Sequence, residues 1–237
     1  MQISRWFHSF VLGVLVSLTM LLAACGGSTA TSPYTAEDLI QKASTNFAQD
    51  TALHFTLTAK DIVPGLYAVT AAEGDVVRPD KLKIIGSDMV SKGGTLGIGI
   101  IIIGANQYVD LGNIGKYHPT TGLPNLLAIF SPTEGIGSIL NQLQSPSKPT
   151  ADTVGGVACW KVNGTVTSSL LAPITGSSST ISTPVATQIW VGQTDLQIHQ
   201  VTLTGKAADG DLDTTARTFV LSKFNETIAI TAPNVTS

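Results

Sequence analysis

Leu53-His54-Phe55-Thr56-Leu57-Thr58 marks the point where the hydrophobic period of this chain switches from that of a helix to that of a strand. Leu53, Phe55 and Leu57 alternate with His54, Thr56 and Thr58, the two-residue repeat of a half-buried strand. Upstream, Leu39, Ile40, Ala43 and Phe47 recur at helical spacing. Thr35-Ala36-Glu37-Asp38 supplies the start signal, with Thr35 as the cap and Asp38 three residues on. One amphipathic helix is expected from there to about Ala48. Downstream, strand-type segments recur near 66–72, 81–86, 95–103, 106–111, 157–166, 185–191, 197–205 and 217–223, with Gly, Asp and Asn between them. Many short strands punctuated in this way predict a largely antiparallel sheet.

The middle of the chain breaks the pattern. From Pro124 to Leu143 the apolar residues are Leu126, Leu127, Ile129, Phe130, Ile136, Ile139, Leu140 and Leu143. They predict two short helices, 124–129 and 132–143, crossing one face of the sheet, the second opening on Pro132 after a Ser131 cap. Residues 175–184 read as a low-complexity loop. No internal repeat and no second-domain linker is visible.

Gly93-Gly94-Thr95-Leu96-Gly97-Ile98-Gly99-Ile100-Ile101-Ile102-Ile103-Gly104 has two unlike faces when drawn as a strand. Leu96, Ile98, Ile100 and Ile102 form an apolar stripe, while the opposite face begins with the missing side chains of Gly97 and Gly99. Glycine inside a strand marks a bend or a close approach, here by a packed helix backbone or by a ligand. The segment is not a nucleotide-binding loop, because the G-x-G-x-x-G spacing is absent and no helix start follows.

The N-terminus reads as an export signal. Arg5 and His8 precede Val11–Leu22, a run without charge and shorter than the roughly 20 apolar residues of a spanning helix. Leu22-Ala23-Ala24-Cys25 at its end has the form of a lipobox. Residues 1–24 are thus expected to be a lipoprotein signal peptide, with Cys25 the lipidated first residue of the mature chain. An uncleaved signal anchor is the competing account. Residues 25–33, small and polar, read as a flexible tether, and residues 34–237 as one domain of about 200 residues. The expected location is the extracytoplasmic face of the cell membrane, held by acyl chains.

Composition excludes more than it selects. Without Arg5 the mature chain carries 12 basic against 16 acidic residues, a formal −4, and no basic run exists to hold nucleic acid or anionic lipid. With Cys25 assigned to lipid, Cys159 has no partner for an intramolecular disulfide. Val157-Ala158-Cys159-Trp160-Lys161-Val162 places it on a strand face with Val157 and Lys161. His54, His118 and His199 are far apart, without metal-ligand spacing. Asp209-Gly210-Asp211-Leu212-Asp213 suggests a calcium loop, but Thr214 stands at the glycine position and Val220 at the closing Glu. An Asp-Gly hairpin turn is the better account. No nucleophile elbow or acid–base carboxylate pair is present. Neither catalysis, a metal nor a cofactor is expected, and nothing indicates an obligate oligomer, so a monomer is.

Several segments, taken in order, resemble the mycobacterial LppX/LprA/LprF/LprG-type cell-envelope lipoproteins. They are the lipobox, the helix ending before Leu53-His54-Phe55-Thr56-Leu57, and Gln107-Tyr108-Val109-Asp110-Leu111-Gly112-Asn113-Ile114-Gly115-Lys116-Tyr117. Ser131-Pro132-Thr133-Glu134-Gly135-Ile136 with Ile139-Leu140 follow, then the strand from Gly155-Gly156-Val157 to Gly164. Ile189-Trp190-Val191 and the closing stretch from Phe224-Asn225 to Ala232-Pro233 complete the series. The resemblance implies an α+β fold: a strongly curved antiparallel sheet, a half-barrel, with helices on its concave face enclosing an apolar cavity. It also implies a ligand, a multi-acyl lipid or glycolipid carried across the envelope. The insert at 175–184 and the glycine-rich 93–104 strand depart from the pattern, so the particular cargo does not transfer.

The stripe Leu96, Ile98, Ile100 and Ile102, roofed by Leu126, Leu127, Ile129, Ile136 and Leu140, is the expected lipid-binding lining. The same residues are equally suited to a filled core, which would make the protein a cell-surface interaction or sensor lipoprotein without cargo. An envelope hydrolase would need a Ser, a His and an acid brought together by the fold.

Overall fold

The structure, a computed structural model, describes residues 31–64, 68–91, 93–176, 180 and 182–235. Eleven strands among them form a single antiparallel sheet. They are β1 Ala52–Lys60, β2 Val69–Val77, β3 Lys81–Ser91, β4 Gly94–Ile103, β5 Asn106–Leu111, β6 His118–Thr120, β7 Thr150–Val154, β8 Val157–Thr167, β9 Pro184–Gly192, β10 Ile198–Thr204 and β11 Ala216–Ser222. Their order is β6-β5-β4-β3-β2-β1-β11-β10-β9-β8-β7. Two meanders therefore lie side by side, joined by the β1–β11 ladder from His54–Ser222 to Lys60–Ala216. The sheet is not closed: it curls as a half-barrel around one core cluster fed by β1–β4 and β8–β11.

Strands β6 and β7 follow one another in sequence yet occupy opposite edges. The chain between them must cross the concave face, and it carries a 3₁₀ turn, Leu126–Phe130, and a short helix, Gly135–Asn141. With α1 as Ala36–Gln49, the second helix is α2, and Ala172–Thr175 is α3. The oxygen of Thr35 caps α1 by accepting from the Asp38 N–H at 3.1 Å, and Glu37 and Asp38 sit at the positive end of the helix. Its buried face is Ala36, Leu39, Ile40, Ala43 and Phe47, and it packs on α2 and β9.

The structure corrects several expectations. The second crossing helix begins at Gly135 rather than 132, because the Ser131 hydroxyl accepts from Thr133 and Glu134 and folds 131–134 into a turn. The first is a 3₁₀ turn displaced toward Phe130. Strands β6 and β7 and helix α3 lack a two-residue or helical pattern long enough to announce them. Thr31, read as tether, belongs to the body, where it bridges to Thr150. Residues Thr31–Ser237 form a compact unit by themselves. Among the described residues, that unit holds the eleven strands and the core cluster.

The face of β4 opposite the apolar stripe is covered by neither a helix nor a ligand site. The loop after β5 folds back over it. A methyl group on Gly97 would stand 2.7 Å from the Asn113 side-chain nitrogen, and one on Gly99 2.9 Å from the Tyr117 hydroxyl. The Asp110 carboxylate, 3% exposed, holds this loop by accepting from the N–H groups of Ile114 and Gly115 at 3.2 and 2.7 Å.

Gly74 is more tightly confined. It lies at a register shift between β2 and β3, and an added Cβ would fall 2.2 Å from the Lys83 carbonyl oxygen. That oxygen belongs to backbone and cannot swing away. Gly74→Ala is expected to cost about 1–3 kcal/mol, or roughly 2–4 °C of melting temperature per kcal/mol at this size. Gly97→Ala costs less, because the Asn113 amide can turn aside. Thermal melts of the two variants check the ranking.

Candidate functional site

The two halves of the concave face are filled differently. Beneath α1 and α2, the side chains of Leu39, Ile136, Ile139, Val162, Ile189 and Val201 reach 0% exposure in a closely packed core. Over β1–β5 and β11 the sheet and its cover stand apart. A cavity of about 510 Å³ lies there, within the roughly 300–1,000 Å³ of ligand sites. Phe55 and Leu57 of β1, Leu82, Ile84 and Met89 of β3, Ile98 and Ile100 of β4, Val109 and Leu111 of β5 and Phe219 of β11 line its sheet side. Leu123–Leu126, Ala128–Phe130 and α3 line the other.

The cavity is closed at one end and open at the other. Phe55, Leu82, Ile84 and Ile100 are buried at its base, where Phe130 sits 4.5 Å from the Phe55 ring and 6.5 Å from Phe219. Along the same strands Leu57, Met89 and Ile98 are partly exposed and Leu111 is 56% exposed.

Of the lining expected from sequence, Ile98, Ile100, Leu126 and Ile129 face this cavity. Ile102 is buried in the core cluster and is not part of the lining. Ile136 and Leu140 belong to the core cluster, and Leu127 packs against it. Leu96 is 41% exposed and lies past the cavity's open end, because it sits two positions toward the strand start from Ile98. Cys25 lies outside the described residues. The neighbouring strands' contributions were legible in the alternation of β1 and of 81–86; Arg217 was not.

Arg217 is the cation of the lining. Its guanidinium donates to Asp211 through two bonds, 2.7 and 2.9 Å, and Asp211 also accepts from the Ala208 N–H. The aspartates of the calcium-like stretch are thus engaged locally, Asp209 with Thr180 and Asp213 with Lys206. The histidines stand on separate strands. His54 pairs with Asp75 at 2.8 Å, His199 with Asp195 at 3.0 Å, and His118 is exposed on β6. Burial pushes the Cys159 thiol up to about 11, which keeps it protonated and unreactive near neutral pH.

The cover is fastened by Arg78. Its guanidinium donates to the Phe130 carbonyl through Nε at 3.1 Å and through a terminal nitrogen at 2.6 Å. The other terminal nitrogen donates to the carbonyls of Phe47 and, at 2.8 Å, Asp50. One side chain thereby ties the end of α1 to the end of the 3₁₀ turn. The far end of the cover is held by Leu123 N–H donating to the Gln107 side chain at 3.2 Å. Asp50, 3% exposed, has one carboxylate oxygen accepting from Gln197 and Asn225. Its other oxygen and the Gln197 side-chain oxygen are buried without a partner. Burial raises the Asp50 pKa above its ordinary 3.8, against the lowering effect of those hydrogen bonds and of Arg78.

The elements thus build an open half-barrel with a covered apolar cavity on its concave side. This chain belongs to the LppX_LprAFG lipoprotein family, whose model matches residues 35–230. Lipoprotein LprA of Mycobacterium tuberculosis is 26% identical over 160 residues, 65% of this chain and 65% of that protein. LprA of Mycobacterium bovis shows the same identity over the same span. The match therefore spans just under two thirds of these curated relatives. Among solved structures, LprF from Mycobacterium bovis superposes with a TM-score of 0.70 at 16% identity, over 84% of this chain and 96% of that one. LppX from Mycobacterium tuberculosis gives 0.60 at 16%, over 83% and 98%. These two establish the half-barrel fold. No helix among the described residues is long and apolar enough to cross a membrane.

Asp50 gives a pH signature. With its folded pKa raised, the neutral acid contributes stability that is complete below the unfolded value near 3.8 and is lost as pH climbs through the folded value. Asp50→Asn removes that titration and replaces a carboxylate oxygen with an amide nitrogen. Its stability advantage over the wild type is expected to grow from pH 4 toward 7, measured by urea unfolding across that range. A constant difference would contradict the assignment.

Proposed function

We propose that this protein is a membrane-anchored carrier that takes an acyl chain of a lipid or glycolipid into the cavity and moves it across the cell envelope. The observation that carries the reading is the apolar cavity of about 510 Å³ on the concave side of the half-barrel. Moving a 16-carbon chain from bilayer to water costs on the order of 12 kcal/mol, at about 0.8 per methylene. A protein site of equal apolarity removes that cost, so exchange with a membrane is nearly neutral and needs no chemical step. The cavity lies in the size range of sites that bury most of a small ligand, which suits an acyl chain. A multi-acyl lipid or glycolipid would place one chain inside, with its polar group toward the open end. Lipidation at Cys25 would hold the body on the extracytoplasmic face.

The filled half under α1 and α2 would equally serve an interaction or sensor lipoprotein without cargo. Native mass spectrometry with lipid extraction, on Thr31–Ser237 exported from its own host, separates the two. A stoichiometric acyl lipid supports the carrier; a clean apo mass after incubation with host lipid extract assigns the protein to the interaction class. Ile98→Trp puts an indole into the cavity where several methylenes would lie. Lipid affinity is expected to fall by about tenfold or more with circular dichroism unchanged.

Anchoring has its own check. Radiolabelled palmitate is expected to enter the wild-type chain and not Cys25→Ala. Equal labelling of both would place the acyl chain elsewhere or remove the lipobox reading.

A further inference from the structure

We infer that Arg217, oriented by Asp211, is the specificity-determining residue of the cavity: its guanidinium hydrogen-bonds an uncharged oxygen acceptor of the bound lipid, of the acyl-ester class. Because Asp211 cancels its charge, the site takes chains whose polar end is neutral in preference to chains that end in an anion. The inference rests on the carrier reading and adds the chemistry by which the site sorts lipids.

Register places Arg217 one step outward from the aromatic base. On β11 it stands two residues from Phe219 on the same face, and both line the cavity. Across the β1–β11 ladder Phe219 is opposite Leu57 and Arg217 opposite Ala59. Burial along β1 falls off in that direction, from buried Phe55 to partly exposed Leu57 and Ala59. An acyl chain laid against Phe55, Phe130 and Phe219 therefore brings its polar end to the level of the guanidinium. The side chains of Arg217 and Asp211 are nevertheless only 12% and 8% exposed, so the pair is largely withdrawn from water.

A guanidinium carries several N–H donors and no acceptor. The bonds to Asp211 at 2.7 and 2.9 Å take one hydrogen from each terminal nitrogen. They leave the Nε–H and the second hydrogen on each terminal nitrogen uncommitted to Asp211. Arg217 is in the lining and Asp211 is not, so the pair points its positive end into the cavity. A donor in an apolar wall gains from an acceptor that arrives without a charge of its own, because no ion has to be stripped of water. An anion instead meets a guanidinium already neutralised by Asp211, with the Glu134 carboxylate also in the described lining. The charges there sum to a negative value, and adding another in a low dielectric is unfavourable.

Holding the loop does not account for the pair. The segment that carries Asp211 is closed by bonds of its own. The Gly205 N–H donates to the Thr215 carbonyl at 2.9 Å, and the Asp211 N–H to the Ala208 carbonyl at 3.1 Å. The Thr215 hydroxyl donates to the Asp61 carbonyl at 2.8 Å, which fastens the segment to the end of β1. A largely buried ion pair contributes little net stability compared with apolar side chains of the same size, and most of this lining is apolar. What two parallel bonds do supply is a guanidinium fixed in one plane and one orientation, the condition for selecting an acceptor. Asp211 is thus a positioning residue, and Arg217 makes the contact.

The test uses the full chain in washed membranes of its own host. Three photoreactive probes share one chain of palmitoyl length and end in a methyl ester, a sulfonate or plain hydrocarbon. Equal loading makes partition into the bilayer cancel when labelling ratios are compared between proteins. The ester-to-hydrocarbon ratio is expected to fall about fivefold in Arg217→Met, which keeps apolar bulk and loses the donors. The sulfonate-to-ester ratio is expected to rise about tenfold in Asp211→Asn, which frees the guanidinium charge and keeps an oxygen for the Ala208 N–H. A purely structural role would lower all three probes together and leave both ratios in place. Unchanged ratios, or ratios that move the other way, overturn the inference; if Arg217→Met fails to accumulate, the Asp211→Asn ratio decides alone. Hydrocarbon labelling of the wild type no greater than that of Ile98→Trp sinks the carrier reading itself. Wild-type labelling above that level with unmoved ratios sinks only the assignment to Arg217.

Discussion

The connection between β6 and β7 constrains everything else in this molecule. Consecutive strands placed at opposite edges of an open sheet cannot be linked by a turn, so residues 121–149 are committed to crossing the concave face. A flat sheet with ten strand intervals would be about 48 Å wide. Curling shortens the crossing and lets one short connection both cover the face and bury its own apolar residues. The half-barrel shape and its covered interior are therefore two consequences of one topological fact.

Where that cover touches the sheet is decided by a small number of polar fastenings. Arg78 gathers carbonyls from the end of α1 and from Phe130, and Gln107 holds Leu123. Between these points, the segment rests on the sheet through side chains that do not fill the space beneath it. Under α1 and α2 the fit is close, because a long amphipathic helix presents a continuous stripe of Leu39, Ala43 and Phe47. The 3₁₀ turn and the four-residue α3 present no comparable stripe. A cavity on one side and a solid core on the other follow from that difference in helical length.

The outer surface of β4 illustrates the same economy. Gly97 and Gly99 leave room, and the loop after β5 occupies it with Asn113 and Tyr117 while Asp110 ties down its backbone. The loop's position fixes the corner of the sheet beside the open end of the cavity. Residues that look like sheet defects in the sequence thus shape the edge of the site.

The sequence by itself determined the local elements that have a long enough repeat: α1 from its cap and stripe, and β1, β4, β5, β8 and β9 from their alternation. It also announced, through ordered segments of resemblance, the family that the model match over 35–230 establishes. Ile98 and Ile100 were legible as lining because a two-residue period places alternate side chains on one face whatever lies above them. What covers that face, and how closely, is a property of segments distant in sequence. Ile136 and Leu140 have the same apolar pattern as Leu126 and Ile129, yet the first pair fills a core and the second roofs a cavity. Only the tertiary structure decided between them, because separation between two layers is set by helix length and by the reach of Arg78, neither of which leaves a periodic trace. The pairing of Arg217 with Asp211 belongs to the same class, because it depends on which segments the fold brings to the cavity.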